Sequence, residues 1–358
     1  MNDVQQNHHV TNHNTKQQFN AGVEEPQHTV QADASPVNTE PVAIPIQARS
    51  SERAQRKTIR ARLNDEAGRK LIFGVSVTIL GGTFWGLSGT TASYLFQNYH
   101  LDVMWLTSIR QFFAGVLFML LAFAREREKL KQMWTTPAHR RELLLFALLG
   151  IFGNQVAYLM TVKLTNPGTA TVLQCLQLLI VMVISCIRLK RLPRKREVAG
   201  VALALLGTYL IATGGNPTSL AIPFDGLVLG LLTAAAAAFI VVAPVNILPH
   251  YGSTVVTGSA MFSSGILACA LAQPWNNLPH LGADGILALI ILIVVGSFLA
   301  YQLYLQGVKE IGSMRASLLG TVEPISATVL SAIFLGTVFA PTDLIGFALI
   351  IAMVFLTV

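Results

Sequence analysis

The chain has 358 residues, of which 53% are hydrophobic and 12% charged, about half the charged share of an ordinary soluble domain. The charges cluster and leave runs of 18 or more uncharged residues between them, which excludes a soluble fold and predicts membrane helices. The net charge of +7 comes with no nucleic-acid reading element, so nucleic acid is not an expected partner.

Residues 1–70 are rich in Gln, Asn, Thr, Pro and His and have no sustained apolar period, which predicts a disordered tail. Eight of its nine basic residues lie between Arg49 and Lys70, where they act as a topology signal or form a short helix on anionic headgroups. The first apolar stretch, Leu71 to Phe96, is longer than the core of a cleavable signal and follows this long tail, so it is read as the first span.

Ten apolar segments follow, near residues 72–96, 103–123, 143–162, 168–187, 197–214, 226–248, 253–273, 285–306, 313–335 and 340–358. At 1.5 Å per residue most cross a ~30 Å hydrocarbon core, the last one barely. The tail and the loops 124–142 and 188–196 carry 21 of the 25 Lys and Arg, and with ten spans all three lie on one side. The opposite loops contain only Lys163, at a helix edge, so the positive-inside rule predicts a multi-pass plasma-membrane protein with both termini cytoplasmic.

Shifting the sequence by 146 residues pairs Tyr158 with Tyr304, Leu159 with Leu305, Val162 with Val308, Lys163 with Lys309, Ala170 with Ala316 and Leu173 with Leu319 without a gap. The same shift pairs Gly200 with Gly346 and Ala202 with Ala348, and sets Glu197 opposite Asp343. Five spans per half is odd, so the second copy starts on the opposite side. The expected fold is therefore an all-α membrane protein of ten transmembrane helices in two inverted five-helix repeats, 71–214 and 226–358, behind the tail 1–70.

An ionisable group within a span costs on the order of 2.5–3.5 kcal/mol at the helix centre, so it needs a partner, a cavity or a function. Arg110 lies roughly 10 Å into span 2 and Glu323 roughly 15 Å into span 9, near the midplane. The shift pairs Glu323 with Gln177, at nearly equal depth, and Gln174 lies one turn earlier on the same face. Asn154 with Tyr158, and Tyr301 with Tyr304, form helical pairs with polar tips on spans 3 and 8. These eight residues are candidate substrate contacts for a small polar or zwitterionic compound, and Glu323 is the candidate for proton coupling. The competing structural reading pairs Arg110 with Glu323, or with backbone carbonyls, as packing glue. Trp85 and the Gly82-xxx-Gly86 and Gly226-xxx-Gly230 spacings read as close helix crossings.

Cys175, Cys186 and Cys269 have no zinc-type spacing, and the chain has no P-loop, GxSxG or HExxH element. No metal, cofactor or catalytic residue is expected. Gly81-Gly-Thr-Phe-Trp-Gly86, Arg110, Asn166-Pro-Gly-Thr-Ala170, and Glu323-Pro324 followed by Phe334-Leu-Gly336 together resemble the EamA-type branch of the drug/metabolite transporter superfamily across residues 72–358. The chain departs from that pattern at Thr337, where the family often has Glu, and at Leu178, where span 4 often has Pro. The resemblance implies a secondary transporter of amino acids, amines or carboxylates working by alternating access, with export as its direction. Its expected partners are a small-molecule substrate, the lipid bilayer and protons, with a homodimer as a further candidate. The rival classes are a membrane-embedded enzyme or lipid-processing protein, and a sensory or structural membrane protein.

Overall fold

The computed structural model describes residues 46–357 apart from 245, with side chains from Gly68 onward save those of Ser313 and Met314. The chain divides into two units, Met1–Thr58 and Ile59–Val358, and the account below concerns the second. Of the expected disordered tail, residues 1–45 lie outside the described residues. Within the second unit the first helix runs to Tyr99. Segment 53–70, with five Arg, three Ala and two Lys, supplies strong helix formers, so local propensity carries a helix where apolar periodicity is missing.

Among the described residues nine helices are long and apolar enough to cross a membrane, and a tenth is shorter. Spans 1 to 5 are Gly68–Tyr99, Val103–Thr135, Pro137–Leu164, Pro167–Arg188 and Lys195–Thr213. Spans 6 to 10 are Phe224–Val242, Ser253–Ala272, Ala283–Ile311, Arg315–Leu335 and Pro341–Thr357. They form two repeats of five helices, each repeat matching a stretch of the same sequence pattern. Span 10 has 17 residues, about 25 Å of rise, so it spans with little to spare. Segment 124–142, expected as a loop, is almost wholly helical: span 2 continues to Thr135, bent where Glu126 leaves helical geometry (φ −137°, ψ 38°), and span 3 begins at Pro137. Its charged residues are good helix formers, which an apolar count cannot register.

Local chemistry explains several helix starts. Asp102 accepts from the Trp105 N–H at 2.9 Å, and Asn166 accepts from the Thr169 N–H at 2.8 Å with Pro167 behind it. The repeat accounts for a third pair. Glu197 accepts from the Arg194 N–H, and Asp343, 146 residues on, accepts from the Ala340 N–H at 3.0 Å, so one acidic residue caps spans 5 and 10 from the same position. Glu197 also takes both nitrogens of Arg191, at 2.7 and 2.8 Å, a fork that fixes the 188–196 turn and holds the Arg191 guanidinium above its ordinary pKa.

Helices related by the repeat pack through missing side chains. Gly115 of span 2 faces the Phe262 backbone of span 7, and Gly265 faces the Phe112 backbone, so that a methyl group at either glycine would lie 2.5–2.6 Å from main-chain atoms. Gly207 of span 5 and Gly346 of span 10 approach each other's carbonyl oxygens in the same way. Span 1 lies on spans 8 and 9, with Gly86 against the Glu323 carbonyl and Ala327, while span 6 lies on spans 3 and 4, with Gly230 against Leu173. The two glycine spacings are thus close crossings. Gly115→Val and Gly265→Val are each expected to cost about 1–3 kcal/mol by overpacking. That loss lowers the melting temperature of the detergent-solubilised protein by several degrees, while valine at Gly68, which has open space around it, leaves it unchanged.

The repeat also places matching irregularities. Span 4 breaks at Cys175–Leu176, between helices Pro167–Gln174 and Gln177–Arg188, and span 9 breaks at Gly320–Thr321, between Ser313–Leu319 and Val322–Leu335. At both places i→i+3 bonds replace the helical ladder, as in Leu178 N–H to Cys175 O and Glu323 N–H to Gly320 O. Spans 3 and 8 carry π-helical turns at Phe146–Phe152 and Ile291–Leu299. A shift of 146 residues superposes each feature on its partner within a residue. Span 4 breaks with Leu178 in the position of Pro324, so a proline is not what opens it.

Candidate functional site

The irregular stretches of four helices meet around one cavity of about 340 Å³. A π-turn rotates the face of the helix that follows it, which turns Asn154, Gln155 and Tyr158 on span 3 and Tyr301 and Tyr304 on span 8 inward. The breaks bring Gln174 and Gln177 of span 4 and Glu323 of span 9 to the same wall. Arg110 comes from span 2. All eight residues singled out in the sequence therefore line a single cavity. A smaller chamber of about 120 Å³ adjoins it behind the breaks, sharing Gln174, Gln177, Tyr304 and Glu323.

Arg110 is 5% exposed, and its Nε donates to Ser297 Oγ at 2.7 Å. Ser297 in turn donates to the Leu292 carbonyl at 2.9 Å, a bond five residues long that belongs to the π-turn. This chain aims the guanidinium and leaves its Nη1 without a partner. Among the described residues no ion pair joins Arg110 to Glu323. Among the described residues the Glu323 carboxylate takes no hydrogen bond, although its backbone carbonyl accepts from Ser326 at 2.9 Å. Ser88 Oγ, Asn154 Oδ1 and Gln155 Nε2 are also buried without partners, and all three residues face the same space. Buried polar atoms are normally satisfied, and four of the seven such orphans among the described residues belong to this one cavity.

Trp85, which the sequence offered as a packing residue, stands against Tyr301 in an edge arrangement and against Tyr304 in a tilted one, each with ring centroids 4.9 Å apart. With Glu323 the three rings give the cavity that Arg110 also lines a set of electron-rich groups. Sequence reasoning also missed Ser88, Gln155 and Ser297. Ser88 sits one turn after Trp85, and Ser297 one turn before Tyr301, so helical spacing from an aromatic anchor is the signal that finds them.

The lining of the cavity runs towards one end of the helices. Its walls extend to Pro244, Leu248 and Ser253, where span 6 ends and span 7 begins. That connection is tied to the start of span 3: Glu142 accepts from Asn246, and a His139 ring nitrogen lies 2.7 Å from the Tyr251 hydroxyl. It therefore lies on the side of the basic segments 124–142 and 188–196. Towards the other side the path is filled by Leu95, Phe96, Leu106, Leu159 and Leu292. Above this plug the hydroxyls of Tyr94 and Tyr99 both donate to Asp284 Oδ2, at 2.6 and 2.7 Å, clasping span 1 to span 8.

The EamA-like transporter family matches this chain over residues 72–213 and 225–358, one stretch per repeat. An uncharacterized inner membrane transporter of Salmonella typhimurium, YicL, is 32% identical over 285 residues, covering 79% of this chain and 94% of its own. An uncharacterized transporter of Bacillus subtilis, YyaM, is 24% identical over 66% of this chain and 78% of its own. A solved protein crystal structure shares the fold, with a TM-score of 0.55 at 17% identity, over 81% of this chain and 96% of that one.

Proposed function

Since the chain belongs to the EamA-like transporter family and is a multi-pass membrane transporter, we propose that it exports small zwitterionic metabolites, amino acids foremost, by alternating access coupled to protons. The observation that carries this reading is the cavity itself, which brings together an unpaired guanidinium nitrogen, a carboxylate and three aromatic rings. A substrate carboxylate takes the free Nη1 of Arg110, and its ammonium takes Glu323 and the faces of Trp85, Tyr301 and Tyr304. Asn154, Tyr158, Gln174 and Gln177 complete the contacts through side-chain amides and hydroxyl.

The positive-inside rule, applied to the basic segments 124–142 and 188–196, supports a cytoplasmic location for their side and for both termini. The cavity in this conformation then faces inward, ready to load a substrate for export. Glu323 supplies the coupling because proton and substrate ammonium compete for one carboxylate. A carboxylate carrying neither is a bare charge at the midplane and is costly to carry through the closed state. The site returns from outside protonated and leaves loaded.

Flux of labelled amino acids, amines and carboxylates into sealed proteoliposomes, with and without a pH gradient, tests the reading. Gradient-driven movement of zwitterions is expected. Equal movement with and without the gradient removes the coupling, and no movement of any compound by folded protein removes the substrate class.

The outward route opens only when the clasp on Asp284 lets go. In a variant with the native cysteines replaced and a cysteine in place of Ser88, adding Asp284→Asn is expected to speed labelling by an impermeant thiol reagent from the side opposite the basic loops. Tyr94→Phe with Tyr99→Phe should do the same. Unchanged labelling rates would remove the clasp from the cycle.

A further inference from the structure

A second cavity, of about 490 Å³, lies on the outer wall of the bundle where spans 2, 3 and 6 meet, at the side away from the basic segments. It plays no part in the transport path described above. Three charged residues line it: Asp102 just before span 2, Lys163 at the end of span 3, and Asp225 in the first turn of span 6. Below them the walls are apolar, with Met104, Met160 and Val228 among them. Of these, Met160 and Val228 are partly exposed on helix faces that meet hydrocarbon.

We propose that this groove binds a phospholipid whose zwitterionic headgroup carries a primary amine. The charges are arranged for a guest that bears both signs. Lys163 is the single cation among the loops of that side, so its position is not a matter of abundance. Its ammonium donates to the Leu101 carbonyl at 3.1 Å and sits 5.5 Å over the Phe96 ring, which fixes it at the rim while leaving donors free, since an ammonium has three. One oxygen of Asp102 is spent on capping span 2. The Asp225 side chain makes no hydrogen bond among the described residues. Although Lys163, Asp102 and Asp225 line one cavity, no ion pair within 4.0 Å joins the lysine to either carboxylate. The cavity keeps opposite charges apart at headgroup depth, where a phosphate reaches Lys163 and an ammonium N–H reaches Asp225 and the free oxygen of Asp102. The apolar walls below then hold the acyl chains, which a free amino acid does not supply.

The headgroup chemistry gives a ranking. Phosphatidylcholine has the phosphate and the positive charge but no N–H to donate, and phosphatidylglycerol lacks the cation. Native mass spectrometry of the delipidated full-length protein with dioctanoyl phosphatidylethanolamine, phosphatidylcholine and phosphatidylglycerol reads it directly. Phosphatidylethanolamine is expected to bind roughly tenfold more tightly than either of the others. Asp225→Asn, an exposed change with no protein partner to lose, should reduce its binding to the phosphatidylcholine level, and Lys163→Met should weaken both phosphatidylethanolamine and phosphatidylcholine. Equal retention of the three lipids overturns the proposal, as does an ethanolamine preference that survives Asp225→Asn. A protein dimer that Asp225→Asn dissociates, without change in lipid adducts, assigns the groove to a second copy instead.

Discussion

Replacing Glu323 with glutamine is expected to abolish pH-gradient-driven flux in proteoliposomes, lowering it at least roughly tenfold, while the protein still folds and elutes as the native chain does. The fold is expected to survive because among the described residues the carboxylate holds no hydrogen bond that glutamine would have to replace, and the backbone bonds of the span 9 break do not involve the side chain. Transport fails because the amide cannot take up or release a proton, and because it offers an ammonium a dipole where there had been a charge. The sign with pH follows from competition. In the native protein, acidifying the cytoplasmic side is expected to protonate Glu323 and slow loading, and alkalinising it to favour loading. In Glu323→Gln that dependence disappears. Substrate exchange without a gradient separates the two losses: if the variant exchanges as fast as the native protein but no longer responds to pH, Glu323 couples without binding. A pH response that persists in the variant overturns the coupling role.

Arg110→Ala is expected to weaken binding of carboxylate-bearing substrates ten- to a hundredfold, the range of about 1.5–3 kcal/mol that a hydrogen bond to a charged group contributes. Amines without a carboxylate should be bound nearly as before, and isothermal titration with a matched amino acid and amine gives the contrast. Arg110→Lys is expected to fail as a rescue. The guanidinium uses Nε on Ser297 and presents Nη1 to the cavity at a fixed angle, and a lysine cannot hold both positions at once. If both compounds weaken equally in Arg110→Ala, the residue shapes the cavity rather than reading the carboxylate.

The sequence carried the spans and their repeat because hydropathy and charge are sums over many residues, and sums survive local detail. Depth arithmetic from helix ends also brought Gln177 and Glu323 to nearly one level, with Arg110 less deep, because 1.5 Å per residue holds even where a helix is imperfect. What stayed hidden is what an average removes. The breaks at Cys175–Leu176 and Gly320–Thr321 and the π-turns at Phe146–Phe152 and Ile291–Leu299 are changes of hydrogen-bond register in stretches whose side chains remain apolar. The helical course of 124–135 was missed for the opposite reason, since its residues are charged yet favour helix. Trp85 read as packing because a ring that packs and a ring that faces a cavity look alike in one dimension. Ser297 could not be found through Arg110, its partner 187 residues away, since contact between distant positions leaves no local pattern.

The repeat has one more consequence. Tyr158 and Tyr304 hold equivalent places in the two halves, yet Tyr158 is 7% exposed, its hydroxyl pressed on Gly89, while Tyr304 is more open and belongs to both chambers. If the halves trade conformations when the cavity changes sides, these two tyrosines trade surroundings. The chain then stores its second state as a copy of the first, with each half holding the coordinates that the other will adopt.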